Sequence, residues 1–234
     1  ALMMVAAFLP LVLAFVGCVP WLAILILLSV GAVFAWRVSG TMPSTASATG
    51  IGASAVLVMM LVMLSRGVDR AARRLFAPPA GSTIVDVIRS PDPGNPLCWS
   101  VIGVELREAA GMYVLRPGTF SVAPGVVPPV RCASHRVRGT RVHEQLAPEL
   151  VADGDIHQSL DILRQLNSRD CSVRAWLQFS RAPVIKGGEA FDQRFARGRD
   201  NFSAMSISEE PRAATCPPNL TSWDPPRRDL LQAR

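Results

Sequence analysis

The sequence predicts a helical membrane anchor joined to a small soluble α+β domain, with an antiparallel sheet of about five or six strands and one main helix. Three observations predict this. Arg37 is the only charged residue among residues 1–65. The other 23 of the 24 Lys and Arg follow from Arg66 onward, together with all 18 Asp and Glu. Beyond Ala77 the long apolar runs give way to short alternating ones broken by Pro and Gly, the pattern of strands and turns.

The anchor is read first, over residues 1–76. A bilayer core takes about 20 apolar residues per helix. Three spans can be drawn, about 2–17, 20–36 and 46–65. The first carries Pro10, the second has Trp21 and Trp36 at its ends as interfacial anchors, and Met42 to Thr45 break the chain before the third. Gly50 and Ser54 have the small-residue spacing that lets helices pack closely. The chain opens on Ala1 inside an apolar run, with no initiator Met and no charged leader, as expected of a fragment whose upstream part is missing.

A basic helix follows. Arg66, Arg70, Arg73 and Arg74 recur at helical spacing against a single acid, Asp69. Such a face is either an ordinary solvated charged face or one suited to the phosphates of anionic lipid headgroups; on the second reading membrane lipid is the expected partner. The same arginines, set against Arg37 alone on the other side, place everything after them in the cytoplasm by the positive-inside rule.

The soluble domain is read over 77–208. Ala77 to Gly81 stop the helix. Ser82–Ile88, Cys98–Leu106 and Met112–Leu115 read as three strands of an antiparallel meander, with the rigid turn Pro91–Pro96 between the first two. Residues 117–139 read as a long loop. Apolar residues at 156, 160, 163 and 166 predict a helix over 156–166, with Asp153 or Asp155 as its cap. Ser172–Phe179, Glu189–Phe195 and Phe202–Ile207 read as further strands, with Gly187 and Gly188 as a hairpin turn. Residues 209–234, rich in Pro and charge, read as an irregular tail.

Chemistry-bearing motifs are few. The three histidines are His135, His143 and His157. No HExxH or paired CxxC spacing accompanies them, and solvated histidines are the expectation. No nucleophile elbow, phosphate-binding loop or dinucleotide fingerprint occurs. The basic excess is not arranged as a nucleic-acid-binding motif, so no nucleic-acid partner is expected; a protein partner is left unidentified. Cys98, Cys132, Cys171 and Cys216 follow the anchor and Cys18 lies within it. Their even number would allow disulfides in an oxidising compartment, against the cytoplasmic placement that the arginines imply. Asp192 and Arg194, two apart on an expected strand, suit a structural ion pair. Trp99 and Trp176, also on expected strands, suit core packing.

The segment Pro91-Asp-Pro-Gly-Asn95-Pro-Leu-Cys-Trp99, then Trp176-Leu-Gln-Phe-Ser180-Arg181 and Phe191-Asp192-Gln-Arg194, resembles the C-terminal half of the bacterial inner-membrane metal-dependent hydrolases described as LexA-regulated and membrane-bound. The likeness covers about residues 45–210. It implies a membrane-bound hydrolase of the inner membrane using a divalent metal, with Pro91, Asn95, Trp99, Ser180, Arg181, Asp192 and Arg194 as motif residues. That family carries its His and Asp ligands among its early helices, whereas residues 1–65 here contain no His, Asp, Glu or Lys. The resemblance thus puts the catalytic metal upstream of Ala1 or leaves it absent from this chain. The alternative from the residues alone is a non-catalytic membrane-anchored module that binds a protein partner or lipid headgroups.

Overall fold

The computed structural model describes residues 59, 61–92, 94–133, 144–196, 201, 203–207 and 228–231. They divide between two compact units, one taking in residues up to Gly67 together with Pro91–Cys98, the other Val68–Ser90 with Trp99–Arg234.

The first described element is helix α1, residues 61–75. It carries Arg66, Asp69, Arg70, Arg73 and Arg74, and no helix among the described residues is long and apolar enough to cross a membrane. This corrects the expected fold class: the structure describes an α+β domain, not a helical membrane anchor with a domain attached. The expected spans 2–17 and 20–36, and 46–65 apart from Met59 and 61–65, lie outside the described residues. α1 runs from the end of the expected third span into the expected basic helix. Its inner side buries Val68, Ala72 and Phe76, spaced four apart on one stripe.

Strands β1 (Thr83–Asp92), β2 (Asn95–Arg107) and β3 (Met112–Ser121) follow and lie side by side in chain order. Asp92 Oδ1 accepts from the Gly94 N–H and Asn95 Oδ1 from the Leu97 N–H, so side chains hold the Pro-rich turn. Between β2 and β3 a 3-10 turn, Glu108–Ala110, ends on Gly111 at φ 60°, where a Cβ would be strained. Two short strands share the outer edge of β3. β6 (Ile156–Ser159) pairs with Met112–Leu115, and β5 (Leu150–Ala152) pairs antiparallel with Gly118–Phe120. β4 (Glu144–Ala147) adds to β5 with a register shift between Gln145 and Ala147. A short helix, α2 (Pro129–Ala133), stands between β3 and β4.

A second, three-stranded sheet joins β7 (Pro183–Lys186), β8 (Glu189–Asp192) and β9 (Met205–Ser206). The expected Gly187–Gly188 turn closes the β7–β8 hairpin, with both glycines at positive φ. The strand count is therefore nine in two sheets among the described residues, not five or six in one. The helix count also differs. α3 (Leu160–Arg169) and α4 (Cys171–Leu177) form an adjacent pair instead of one main helix.

Three local corrections follow, the first two because one apolar pattern fits two periods and the third because Pro and Gly inside a strand resemble a loop. Ile156 belongs to strand β6, opposite Leu115, and the helix begins only at Leu160. Its cap is Ser159, whose Oγ accepts from the Ile162 N–H, and not Asp153 or Asp155. Residues 172–179 alternate like a strand but fold as α4, because Val173, Trp176 and Leu177 also have helical spacing and Asp170 caps them. Its Oδ1 accepts from the Ser172 and Val173 N–H groups at 2.7 and 3.3 Å. Residues 117–121 continue β3 instead of opening a loop; Gly118 lets the backbones close up, since a Cβ there would lie 2.8 Å from the Val151 carbonyl oxygen.

The main core lies between the sheet and the α3–α4 pair. Ile102, Val104 and Leu106 of β2 and Tyr113 and Leu115 of β3 meet Leu160, Leu163 and Leu166 of α3 and Val173 and Trp176 of α4. Val184 and Ala190 of the small sheet complete it, and Leu230 of α5 (Arg228–Leu231) is fully buried there. Arg164 Nε donates to the Leu230 carbonyl at 2.9 Å, which pins this late segment to α3. The opposite face of β2 meets Phe76, just past the end of α1, at Gly103, where a Cβ would come within 2.9 Å of its ring.

Candidate functional site

Three polar constellations stand out against this frame. The first gathers four of the motif residues. Asp192, at the end of β8, is fully buried. Its Oδ2 accepts from the Arg181 backbone N–H and from Arg194 Nε, both at 2.9 Å, and its Oδ1 accepts from the Arg194 backbone N–H at 2.9 Å. Ser203 Oγ accepts from the Asp192 N–H and donates to Asn201 Oδ1. The guanidinium of Arg194 donates onward to the Phe179 carbonyl at 2.6 Å and stacks on Phe195. Arg181 itself reaches Asp86 on β1 at 2.7 Å. Asp192 thus closes a knot between the end of α4, the hairpin and the following turn. The Asp192–Arg194 pair exists, but Arg194 sits in a 3-10 turn, Gln193–Phe195, and not on a strand. Trp176 sits on helix α4 and donates its indole N–H to the Ser203 carbonyl, tying the same knot from below. The Ser180 hydroxyl is buried beside it without a hydrogen-bond partner.

The remaining motif residues lie elsewhere. Pro91 and Asn95 flank the β1–β2 turn, and Trp99 is buried on β2. The resemblance motif is therefore not one constellation: its C-terminal half is the Asp192 knot, and its N-terminal half is a hairpin.

The second constellation was not anticipated. Glu105, within the apolar strand β2, is fully buried. Its Oε1 accepts from Arg107 Nε at 2.6 Å and its Oε2 lies 2.7 Å from Arg116 of β3, whose Nε is 3.5 Å from Asp155. Burial pushes the Glu105 carboxyl up, but hydrogen bonds from Arg107 and Ser82 and the charges of Arg116 and Arg107 outweigh it and hold it below the usual glutamate value. The only sequence signal was a charge interrupting a run of β-branched residues, with arginines two positions on and across the turn.

The third is the outer face of α1. At 100° per residue, Arg70, Arg73 and Arg74 share one side, opposite Val68 and Ala72, and all three are exposed. In the other unit Met59, Val62, Met63 and Arg66 are exposed, Met59 and Met63 at 60% and 62%. Arg73 also pairs with Asp69 at 3.0 Å, and Asp69 takes Arg89 of β1 at 2.8 Å.

Among the described residues no group of three His, Cys, Asp or Glu is placed to hold a metal ion, so these residues do not supply the donor set the resemblance implies. His157 is exposed on β6; His135 and His143 lie outside the described residues. Cys98, Cys132 and Cys171 are each disulfide-bonded, and Cys18 and Cys216 lie outside the described residues. No protein-family model, curated protein or solved structure matches the chain.

Proposed function

We propose that this chain is a non-catalytic module that docks on an anionic membrane surface through helix α1. The observation that carries the reading is the basic outer stripe of α1, Arg70, Arg73 and Arg74, exposed on the side opposite Val68 and Ala72. Level with headgroup phosphates, each such cation contributes about 1 kcal/mol. The buried Val68, Ala72 and Phe76 fix which side of the helix faces the domain, and so which side faces lipid.

The hydrolase reading rests on the resemblance. The residues that carry its C-terminal half have structural partners here: both oxygens of Asp192 are engaged by amides and by Arg194, and Arg194 is spent on Asp192 and the Phe179 carbonyl. A divalent metal would need ligands from outside the described residues.

The test is hydrogen exchange of the full chain in lipid nanodiscs. Amides of 66–76 should exchange more slowly in discs containing phosphatidylglycerol than in pure phosphatidylcholine, and 0.5 M salt should erase the difference. Equal exchange in the two lipids sinks the reading.

A further inference from the structure

The cysteines carry an inference that is independent of lipid docking. The cytoplasmic placement rests on the arginine bias beside spans that, apart from Met59 and residues 61–65, lie outside the described residues. The disulfides point the other way, since such bonds persist in oxidising compartments and are rare in a reducing cytosol. We infer that this domain matures outside the cytosol, as the substrate of a protein that donates a disulfide from its own reactive cysteine pair.

The placement of the thiols says when this must happen. Cys98, on β2, and Cys132, on α2, are 2% and 3% exposed, and Cys171 opens α4 directly after its Asp170 cap. The Cys98 and Cys132 sulfurs cannot be reached by a protein oxidant once the domain has packed, whereas Cys171 is only half-buried. The exchange therefore takes place on the unfolded or partly folded chain, and the finished bridges are structural, not switches. No two of these cysteines share the short spacing of a redox-active pair; they lie dozens of residues apart in sequence. In the exchange, one thiolate of the chain attacks the donor's disulfide and forms a mixed disulfide, releasing one donor thiolate. A second thiolate of the chain then displaces the donor's other sulfur. The chain's two thiols lose two protons and two electrons, and the donor's disulfide leaves as a dithiol.

Three cysteines are bonded among the described residues, so at most two of the chain's five should react before reduction. The experiment counts them. The full chain, expressed in a bacterial host, is quenched in acid, denatured and treated with a mass-tagged maleimide, with and without prior reduction. Fewer than five tags before reduction and five after supports the inference. In a host lacking its exported disulfide donor, the unreduced count should rise to five; a count that stays at the wild-type value means the bridges form without such a donor and overturns the partner assignment. Five tags from the wild-type host would mean that the chain stays in a reducing compartment and would overturn the whole inference. Should the chain be degraded in the deficient host, the wild-type count still decides the compartment, and adding a purified disulfide donor to the reduced, denatured chain decides the partner. The unreduced count should then fall from five to the wild-type value faster than in air alone; equal rates would overturn the assignment.

Discussion

Asp192 and Glu105 are both fully buried carboxylates, and each has an arginine two residues on in sequence. They solve the same problem differently. Taking a carboxylate out of water costs several kcal/mol unless its oxygens are fully engaged. Asp192 is engaged chiefly by its own neighbourhood: two backbone N–H groups and the guanidinium of Arg194, all from residues 181–194. Glu105 relies on mobile side chains, Arg107 of its own strand and Arg116 of the next. One charge staples a turn whose amides would otherwise be orphaned. The other bridges two strands at the end of the sheet where Arg107 and Arg116 still reach solvent.

If that difference is real, the two sites should fail unequally. Asp192→Asn keeps the shape but turns an acceptor into a donor that faces the Arg181 amide or Arg194. It also leaves Arg194 half-buried without its anion. A loss of about 4 kcal/mol is expected, the range for breaking a buried pair from one side, read as a shift in the denaturant midpoint of the full chain in detergent. Glu105→Gln should lose less, about 2 to 3 kcal/mol, because Arg107 and Arg116 can turn toward water and Asp155 remains beside Arg116. A larger loss at Glu105 than at Asp192 would reverse the comparison.

Acid sharpens it. The folded Glu105 carboxyl binds its proton more weakly than in the unfolded chain. Its stabilisation is complete above the ordinary glutamate value of about 4.3 and disappears as pH falls through the lower folded value. Between about pH 5 and pH 3 the wild-type chain should lose stability more steeply than Glu105→Gln. Parallel curves would show that the arginines do not hold that carboxyl down.

These two sites also show how far the sequence could be read. Asp192 and Arg194 were visible as a pair because motif likeness and close spacing pointed to them, although the strand that was to carry both ends at Asp192. Glu105 was invisible. Its strand was read correctly from its β-branched residues, but nothing local says that Arg116, beyond a turn, will stand beside it. The helix α4 was misread for a related reason. Val173 and Leu177 satisfy both a period of two and a period of 3.6, and only the Asp170 cap and the burial of Trp176 decide between them. Sheet order beyond β3 was equally out of reach, since β5 and β6 share one edge of β3 through contacts that no short-range pattern encodes. The apolar residues before Met59 lie outside the described residues, and the first helix described is the one that carries the arginines.

The exposed end of the series comes from Asp86 and Asp69, carboxylates that keep contact with water. Arg181 reaches Asp86 from a side chain 36% exposed, and Asp69 holds Arg73 and Arg89 at the domain surface. Such pairs gain little, because water already solvates both ions and ordering two long side chains offsets most of the attraction. Arg181→Met should therefore cost about 1 kcal/mol at most, and Arg73→Ala about 0.3 to 0.5, with Arg89 still in place beside Asp69. Arg74→Ala, on the outer stripe of α1, should leave the denaturant midpoint within about 0.5 kcal/mol of wild type. The same substitution should shrink the difference in exchange between phosphatidylglycerol and phosphatidylcholine discs. That dissociation is the argument for α1 as a surface kept for a partner. A charge that the fold uses loses stability when removed, as at Asp192 and Glu105, whereas a charge kept for lipid loses binding and leaves the fold as it was. An Arg74 variant that destabilises the domain and keeps its lipid preference would move this arginine into the same class as Arg194.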